Sequence, residues 1–235
     1  MTAGVYLLLW QIAAAVVARP LLLPGPVLTI RRLFSLLAVP DSYAAIALTL
    51  GRVLPGFSLG TVAGVLLGAA SGASRFADAL LSPLRSVVKA TPVTSFILLA
   101  LLWFSSGMVP VWIALLMVLP TVWASVLEAV RATDPALLEM AHAFHLSRRQ
   151  RIREIYAPSA LPNVLAACST AFGFAWKAGV AAEILALPRL AVGSYLYRSK
   201  VTLETADLFA WTLCVIVLSM LLERVLVRLM RRIRA

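Results

Sequence analysis

Apolar residues fall in long blocks along this chain, separated by short segments rich in proline, glycine and charge. A helix needs about 20 apolar residues to cross the hydrocarbon core of a bilayer. The first block runs from about Gly4 to Leu23 and closes at Arg19-Pro20 and the Pro24-Gly25-Pro26 breaker. Val27 to Leu37 is apolar but carries Arg31 and Arg32 and is too short to cross, which predicts a helix lying at the interface. A second crossing covers about Tyr43 to Ser71, with Arg52 near its start expected to snorkel outward. The third stretch, about Ala77 to Phe104, is interrupted by Pro83 and Pro92 and reads as one kinked crossing, because either half alone is short. After the turn at Ser105-Ser106-Gly107, a fourth crossing runs from about Val109 to Val130. A polar segment, Arg131 to Ala157, precedes a fifth from about Ser159 to Leu187. Pro188 to Asp207 is a mixed loop, and the last crossing covers about Leu208 to Val227.

Composition agrees with this pattern: 62% of the 235 residues are hydrophobic and 13% charged, against about 25% charged in a soluble domain. The expectation is an all-α membrane protein of about six transmembrane helices in a single domain, 1–235. Within it, 1–42 holds the first helix and interfacial segment, and 43–235 holds the core with its polar loop at about 134–158. The start, Met1 to Val17, lacks a basic leading region and a cleavage site, so it reads as a retained helix. The net charge of +11 does not point to nucleic acid. Arg148, Arg149, Arg151 and Arg153 crowd one loop, and Arg224, Arg228, Arg231, Arg232 and Arg234 crowd the C-terminus, both beside apolar runs as in cytoplasmic loops. Six crossings then place both termini in the cytoplasm, with Arg31, Arg32, Arg189, Arg198 and Lys200 as exceptions outside. Cys168 and Cys214 lie in apolar stretches without ligand spacing and read as small core residues.

The second crossing carries Gly56, Gly60, Gly64, Gly68 and Gly72, one glycine at every fourth position. That spacing makes a ridge without side chains, suited to close approach of another helix, within this chain or between two copies. The polar segment is also patterned. Asp134 and Pro135 suit an N-cap and first helical residue, and Ser147 with Gln150 gives a capping box. Pro158 should break the chain before the next crossing. Two short helices result, the first with Leu137, Leu138, Ala141 and Phe144 on one apolar face and Met140 beside it. Such a face packs either on the chain's own helix ends or on a partner. His142 and His145 have no third ligand in view, so no metal is expected.

Lys89, Lys177 and Glu183 lie deepest in apolar sequence, with Trp176 beside Lys177. Ionisable groups at that depth face a bundle interior or a cavity. They are the pathway candidates, with the lysines attracting an anionic substrate such as a sulfonate or carboxylate. The alternative is structural: snorkelling, or an interhelical Lys89–Glu183 pair.

Glu139-Met140-Ala141, with Ala157-Pro158-Ser159-Ala160-Leu161-Pro162 closing the segment, resembles the EAA loop of permeases from binding-protein-dependent importers. Ala171-Phe172-Gly173-Phe174-Ala175-Trp176-Lys177-Ala178-Gly179-Val180-Ala181-Ala182-Glu183 is similar to the next helix in the nitrate/sulfonate/taurine branch. Leu48-Thr49-Leu50-Gly51-Arg52-Val53-Leu54-Pro55-Gly56-Phe57 and Thr91-Pro92 follow similar patterns. The resemblance covers about Tyr43 to the C-terminus. It implies that Leu138, Glu139, Met140, Ala141, Phe144, His145, Leu146 and Arg148 form a coupling loop seated in a cleft of an ATPase subunit. His145 departs from the family, which has glycine there to end the first helix in a left-handed cap; histidine adopts that conformation only at a cost, so the loop is expected to turn differently, with His145 capping carbonyls or touching the ATPase instead.

No GxxxxGK[ST] phosphate loop is present, so the chain itself should neither bind nor hydrolyse ATP, and no set of side chains suits hydrolysis in the membrane. The resemblance thus implies a non-catalytic permease subunit of the bacterial inner membrane. ATP and magnesium would sit in ABC ATPase partners, an external binding protein would deliver substrate, and a second permease copy would complete a homodimer in lipid. The rivals are an ion-gradient-driven transporter, which should show two related halves, a membrane enzyme and a non-transporting scaffold.

Overall fold

The computed structural model describes residues 2–234, and their side chains apart from those of residue 3 and residues 231–234. Arg231, Arg232 and Arg234 of the basic C-terminal cluster therefore have side chains outside the described residues. Eleven α-helices and one π-helical turn make up the fold, with no strand among the described residues. They are α1 (Thr2–Val17), α2 (Pro26–Leu37), α3 (Pro40–Ala73), α4 (Arg75–Ala90), α5 (Val93–Trp103), α6 (Val109–Arg131), α7 (Pro135–Ala143), α8 (Arg148–Arg151), α9 (Ala157–Ala186), α10 (Val192–Val201) and α11 (Thr205–Arg234), with the π-helical turn at Ile152–Tyr156.

Three long helices form the body, and α6 lies between the other two. The glycine ridge of α3 explains how α6 comes so close. A Cβ at Gly56 would lie 2.2 Å from the carbonyl oxygen of Val111, and one at Gly60 would lie 2.8 Å from that of Leu115. The series continues through Gly64, Gly68 and Gly72 against Val122, Val126 and Val130. Each step of four along α3 matches a step of four along α6, so the two helices run parallel in fixed register. The ridge is therefore a contact within the chain. Val118, Val122 and Val126 fill the grooves between the glycines, and Trp123 closes the far end by donating its indole N–H to the Ser71 hydroxyl at 3.0 Å. α9 runs the opposite way: the Ser125 hydroxyl donates to the Asn163 carbonyl at 3.1 Å, while Ala182 and Ala186 pack with Val109 and Ile113. Phe57 and Phe172 meet edge to face at 5.3 Å between α3 and α9.

Parallel α3 and α6 require the intervening chain to return the full height of the bundle. α4 and α5 do so with a bend of 102° at their break, between Ala90 and Val93. Pro92 produces the bend, since it cannot donate to the preceding turn and biases Thr91 to the extended conformation it adopts. The expected kinked crossing is thus one return of the chain, but broken into two helices at nearly a right angle.

Among the described residues, three helices (α3, α6 and the continuous Arg148–Ala186 rod) are long and apolar enough to span, or four if the bent pair is one span, so the expected count of about six is not matched exactly. α1 stops at Val17, where Ala18 turns left-handed (φ 50°), giving 16 residues where the sequence predicted a span to Leu23. At 1.5 Å per residue it reaches about 24 Å, short of the core thickness. α11 has 30 residues and carries the apolar run Leu208–Leu222 back along α9, where the Trp176 indole donates to the Val215 carbonyl at 3.2 Å. The expected interfacial segment forms α2, tied to α11 by the Arg32–Asp207 ion pair.

Candidate functional site

The polar segment folds as the sequence caps dictate. The Asp134 carboxylate accepts from the Ala136 amide at 2.8 Å, opening α7 with Pro135 in its first turn. Ser147 and Gln150 form the reciprocal capping box that opens α8. Between them His145 sits at φ 51°, the left-handed conformation. The Leu146 amide donates to the Ala141 carbonyl at 2.9 Å and the His145 amide to the His142 carbonyl at 3.0 Å, the paired bonds of a Schellman cap. The loop therefore makes the left-handed turn that suits glycine, where a different turn was expected, with histidine bearing the conformational cost.

Two expectations about this loop need correction. Pro158 does not break the chain, because α8 passes through the π-helical turn directly into α9. The wider turn relieves the clash of the proline ring with the preceding carbonyls, so the rod is continuous. The expected single apolar face of α7 is also divided. Ala141 is wholly buried and Leu138 half-buried, both turned inward, whereas Leu137, Met140 and Phe144 project outward at i, i+3 and i+7, Phe144 being 73% exposed. Glu139, His145 and Arg148 are exposed around them, and Leu146 is half-buried. Ile152, exposed on the π-helical turn, extends this outward surface and was not singled out by sequence.

The deep ionisable residues separate into two groups. Glu183 is completely buried at the end of the bundle away from the loop. Its carboxylate accepts from the Thr49 hydroxyl at 2.9 Å, the Arg52 guanidinium at 3.0 Å and the Gly193 amide at 3.1 Å. Thr49 in turn accepts from the Val192 amide at 3.1 Å, and Arg52 also donates to the carbonyls of Arg189 and Leu190. This knot ties α3, α9 and the start of α10 together and satisfies every charge in it. Glu183 is thus a structural anchor, its partner is Arg52 and not Lys89, and Arg52 points inward where snorkelling was expected. Gly193 permits the contact, since a Cβ there would lie 2.4 Å from that of Glu183. Trp176 is also wholly buried and packs against α11.

Lys89 and Lys177 are exposed. On α9, Asn163, Thr170 and Lys177 recur every seventh residue and all are exposed, so they share one face of the helix. The seven-residue spacing of these polar positions is the sequence signal for that face. Lys89, at the end of α4, opens onto the same face: it lines a cleft of about 480 Å³ with Thr121, Ser125, Glu128, Asn163 and Thr170. The structure brings Lys89 to α6 and α9 and leaves it apart from Glu183.

Comparison with known proteins places this architecture. Residues 60–235 match the family model of the binding-protein-dependent transport system inner membrane component. The putative aliphatic sulfonates transport permease protein of Bacillus subtilis is 26% identical over 232 residues, covering 97% of this chain and 83% of that protein. The riboflavin transport system permease protein of Chloroflexus aurantiacus is 29% identical over 231 residues, covering 94% and 86%. Among solved structures, an amino acid ABC transporter crystallised with histidines superposes with a TM-score of 0.65 at 15% identity, over 83% of this chain and 92% of that one. The chain is a member of the inner-membrane permease family of binding-protein-dependent ABC importers.

Proposed function

We propose that this chain works as one of two permease subunits in an ATP-driven importer, forming the solute pathway and coupling it to ATPase partners through the loop between α6 and α9. The observation that carries the coupling is the outward stripe of Leu137, Met140 and Phe144 on a helix capped at both ends. A rigid, capped helix presenting anchors at i, i+3 and i+7 suits insertion into a groove on a partner. Because α8 continues into α9 without a break, a displacement of the loop moves the pathway helix with it. The register-locked contact of α3 with α6, and of α6 with α9, makes the three move as one body.

The loop end of the bundle faces the cytoplasm in this reading, and ATP and magnesium belong to the partner. The exposed face of Asn163, Thr170, Lys177 and Lys89 turns toward the second copy and the aqueous path between the two, because a lysine held in lipid is costly. Solute arrives from an external binding protein, and the lysines favour a small anion or another solute bearing an anionic group.

The test is affinity purification from native membranes with mass spectrometry and an ATPase assay of what accompanies the chain. A co-purifying ATPase, lost on Phe144→Arg while the chain stays folded and inserted, is the expected result. A chain that purifies without an ATPase under gentle extraction would refute the reading.

A further inference from the structure

The cleft beside Lys89 presents both signs of charge. Glu128 stands one turn before the end of α6 and is exposed into the same cleft, and neither Glu128 nor Lys89 forms an ion pair with a described residue. From Glu128 the cleft rises past Ser125 to Thr121, about 10 Å along α6 at 1.5 Å per residue. Asn163 and Thr170 supply an amide and a hydroxyl from α9 on the opposite wall. Charges left unpaired in a cleft within a membrane helix bundle mark a place where something charged is received.

A plain anion drawn to Lys89 would meet the Glu128 carboxylate in the same cleft, and like charges there are destabilising. A solute with an anionic group and a separate ammonium satisfies both side chains, with the hydroxyls and the Asn163 amide completing its hydrogen bonds. Resting on the pathway reading above, we propose that this cleft is a binding station for a small zwitterion toward the loop end of the pathway face, with Lys89 receiving the anionic group and Glu128 the ammonium. Glu128 is then a specificity residue: it admits an amino-sulfonate or amino-carboxylate and disfavours a simple oxyanion.

The experiment uses the full chain in lipid nanodiscs. Cys168 and Cys214 are buried, so Ala166→Cys places an accessible thiol in the cleft, and Ala124→Cys, on the α6 wall, serves the same purpose if the first variant fails to fold. Labelling by an anionic thiosulfonate, followed by mass, is compared with labelling by a neutral one. The expected result is labelling by both, slowed about tenfold by 3-aminopropanesulfonate and little by propanesulfonate, with protection lost in Lys89→Met and in Glu128→Gln. Equal protection by the two sulfonates would overturn the zwitterion assignment, as would protection by neither or protection that survives Glu128→Gln. A thiol reached by the neutral reagent but not by the charged one would instead refute the aqueous pathway face, and the station with it.

Discussion

Gly51 and Gly56 lie on the same helix, yet alanine at the two positions should act in opposite directions. At Gly51 an added Cβ meets nothing within 4 Å. The substitution should be neutral or stabilise by up to about 1 kcal/mol, the helix-propensity difference between the two residues. At Gly56 the added Cβ lies 2.2 Å from the Val111 carbonyl oxygen and 2.8 Å from the Ala114 Cβ. A backbone oxygen cannot rotate away, so α3 and α6 must part by about 1 Å to regain contact distance, and the shared register loosens the contacts at Gly60 and Gly64 as well. Overpacking of this kind costs about 1–3 kcal/mol, and the backbone obstacle puts Gly56→Ala at the upper end. The two variants should therefore differ by about 2–4 kcal/mol. Gly72→Ala should fall between them, because the atoms nearest its Cβ belong to the Val130 side chain, from 2.7 Å, and not to backbone. Thermal melting of the purified chain in one detergent reads the order, at about 2–4 °C per kcal/mol for a domain of this size. If Gly56→Ala melts at or above Gly51→Ala, the ridge is not a close-packed contact and the register argument fails.

Three further outcomes follow from the sites described. His145→Gly should relieve the left-handed residue in the loop and stabilise the turn by up to about 1 kcal/mol, read as slower hydrogen exchange of the Leu146 amide; unchanged or faster exchange would contradict the Schellman cap. Glu183→Leu should destabilise by about 3–5 kcal/mol because it strands Arg52 in a buried site, and the double variant Arg52→Met/Glu183→Leu should recover part of that loss; strictly additive melting shifts would show that the two groups do not interact. Ala141→Arg should unfold the loop itself, since Ala141 is wholly buried, whereas Phe144→Arg should leave melting unchanged; equal melting losses in the two would refute the division of the α7 face into inward and outward halves.

Local signals in this sequence were reliable at the helix caps and along the glycine ridge, though not at Pro158, where the π-helical turn carries the chain through. The Asp134 cap and the Ser147–Gln150 capping box formed as their spacing predicts, and the glycine ridge packed as a ridge. The ridge's partner was not legible, because period-four glycine states only that something approaches closely, and the answering positions on α6 are ordinary valines. Charge placement misled for a related reason. Arg52 reads as a snorkelling residue when its helix is considered alone, and Glu183 reads as a pathway group, but each is the other's partner across 131 residues of sequence. Such a pairing depends on which helices adjoin and in what direction, which no local pattern encodes.

The direction of α3 relative to α6 also decides what the broken α4–α5 segment does. By length, α5 has 11 residues and α4 has 16, and neither suffices to cross alone. Yet Gly56 faces Ala114 while Gly72 faces Val130, so both helices run the same way and the connection between them must climb back. The 102° bend in that return holds the end of α4, with Lys89, against α6 and α9 instead of continuing upward. A straight helix through residues 75–103 would carry Lys89 past this level along its own axis. The proline break is therefore what places a cation on the polar face of α9, and replacing Pro92 by alanine should straighten the segment and withdraw Lys89 from the cleft. Labelling of a thiol at position 166 detects that withdrawal as lost protection by 3-aminopropanesulfonate. Protection retained in the Pro92→Ala variant would show that the bend does not position the lysine.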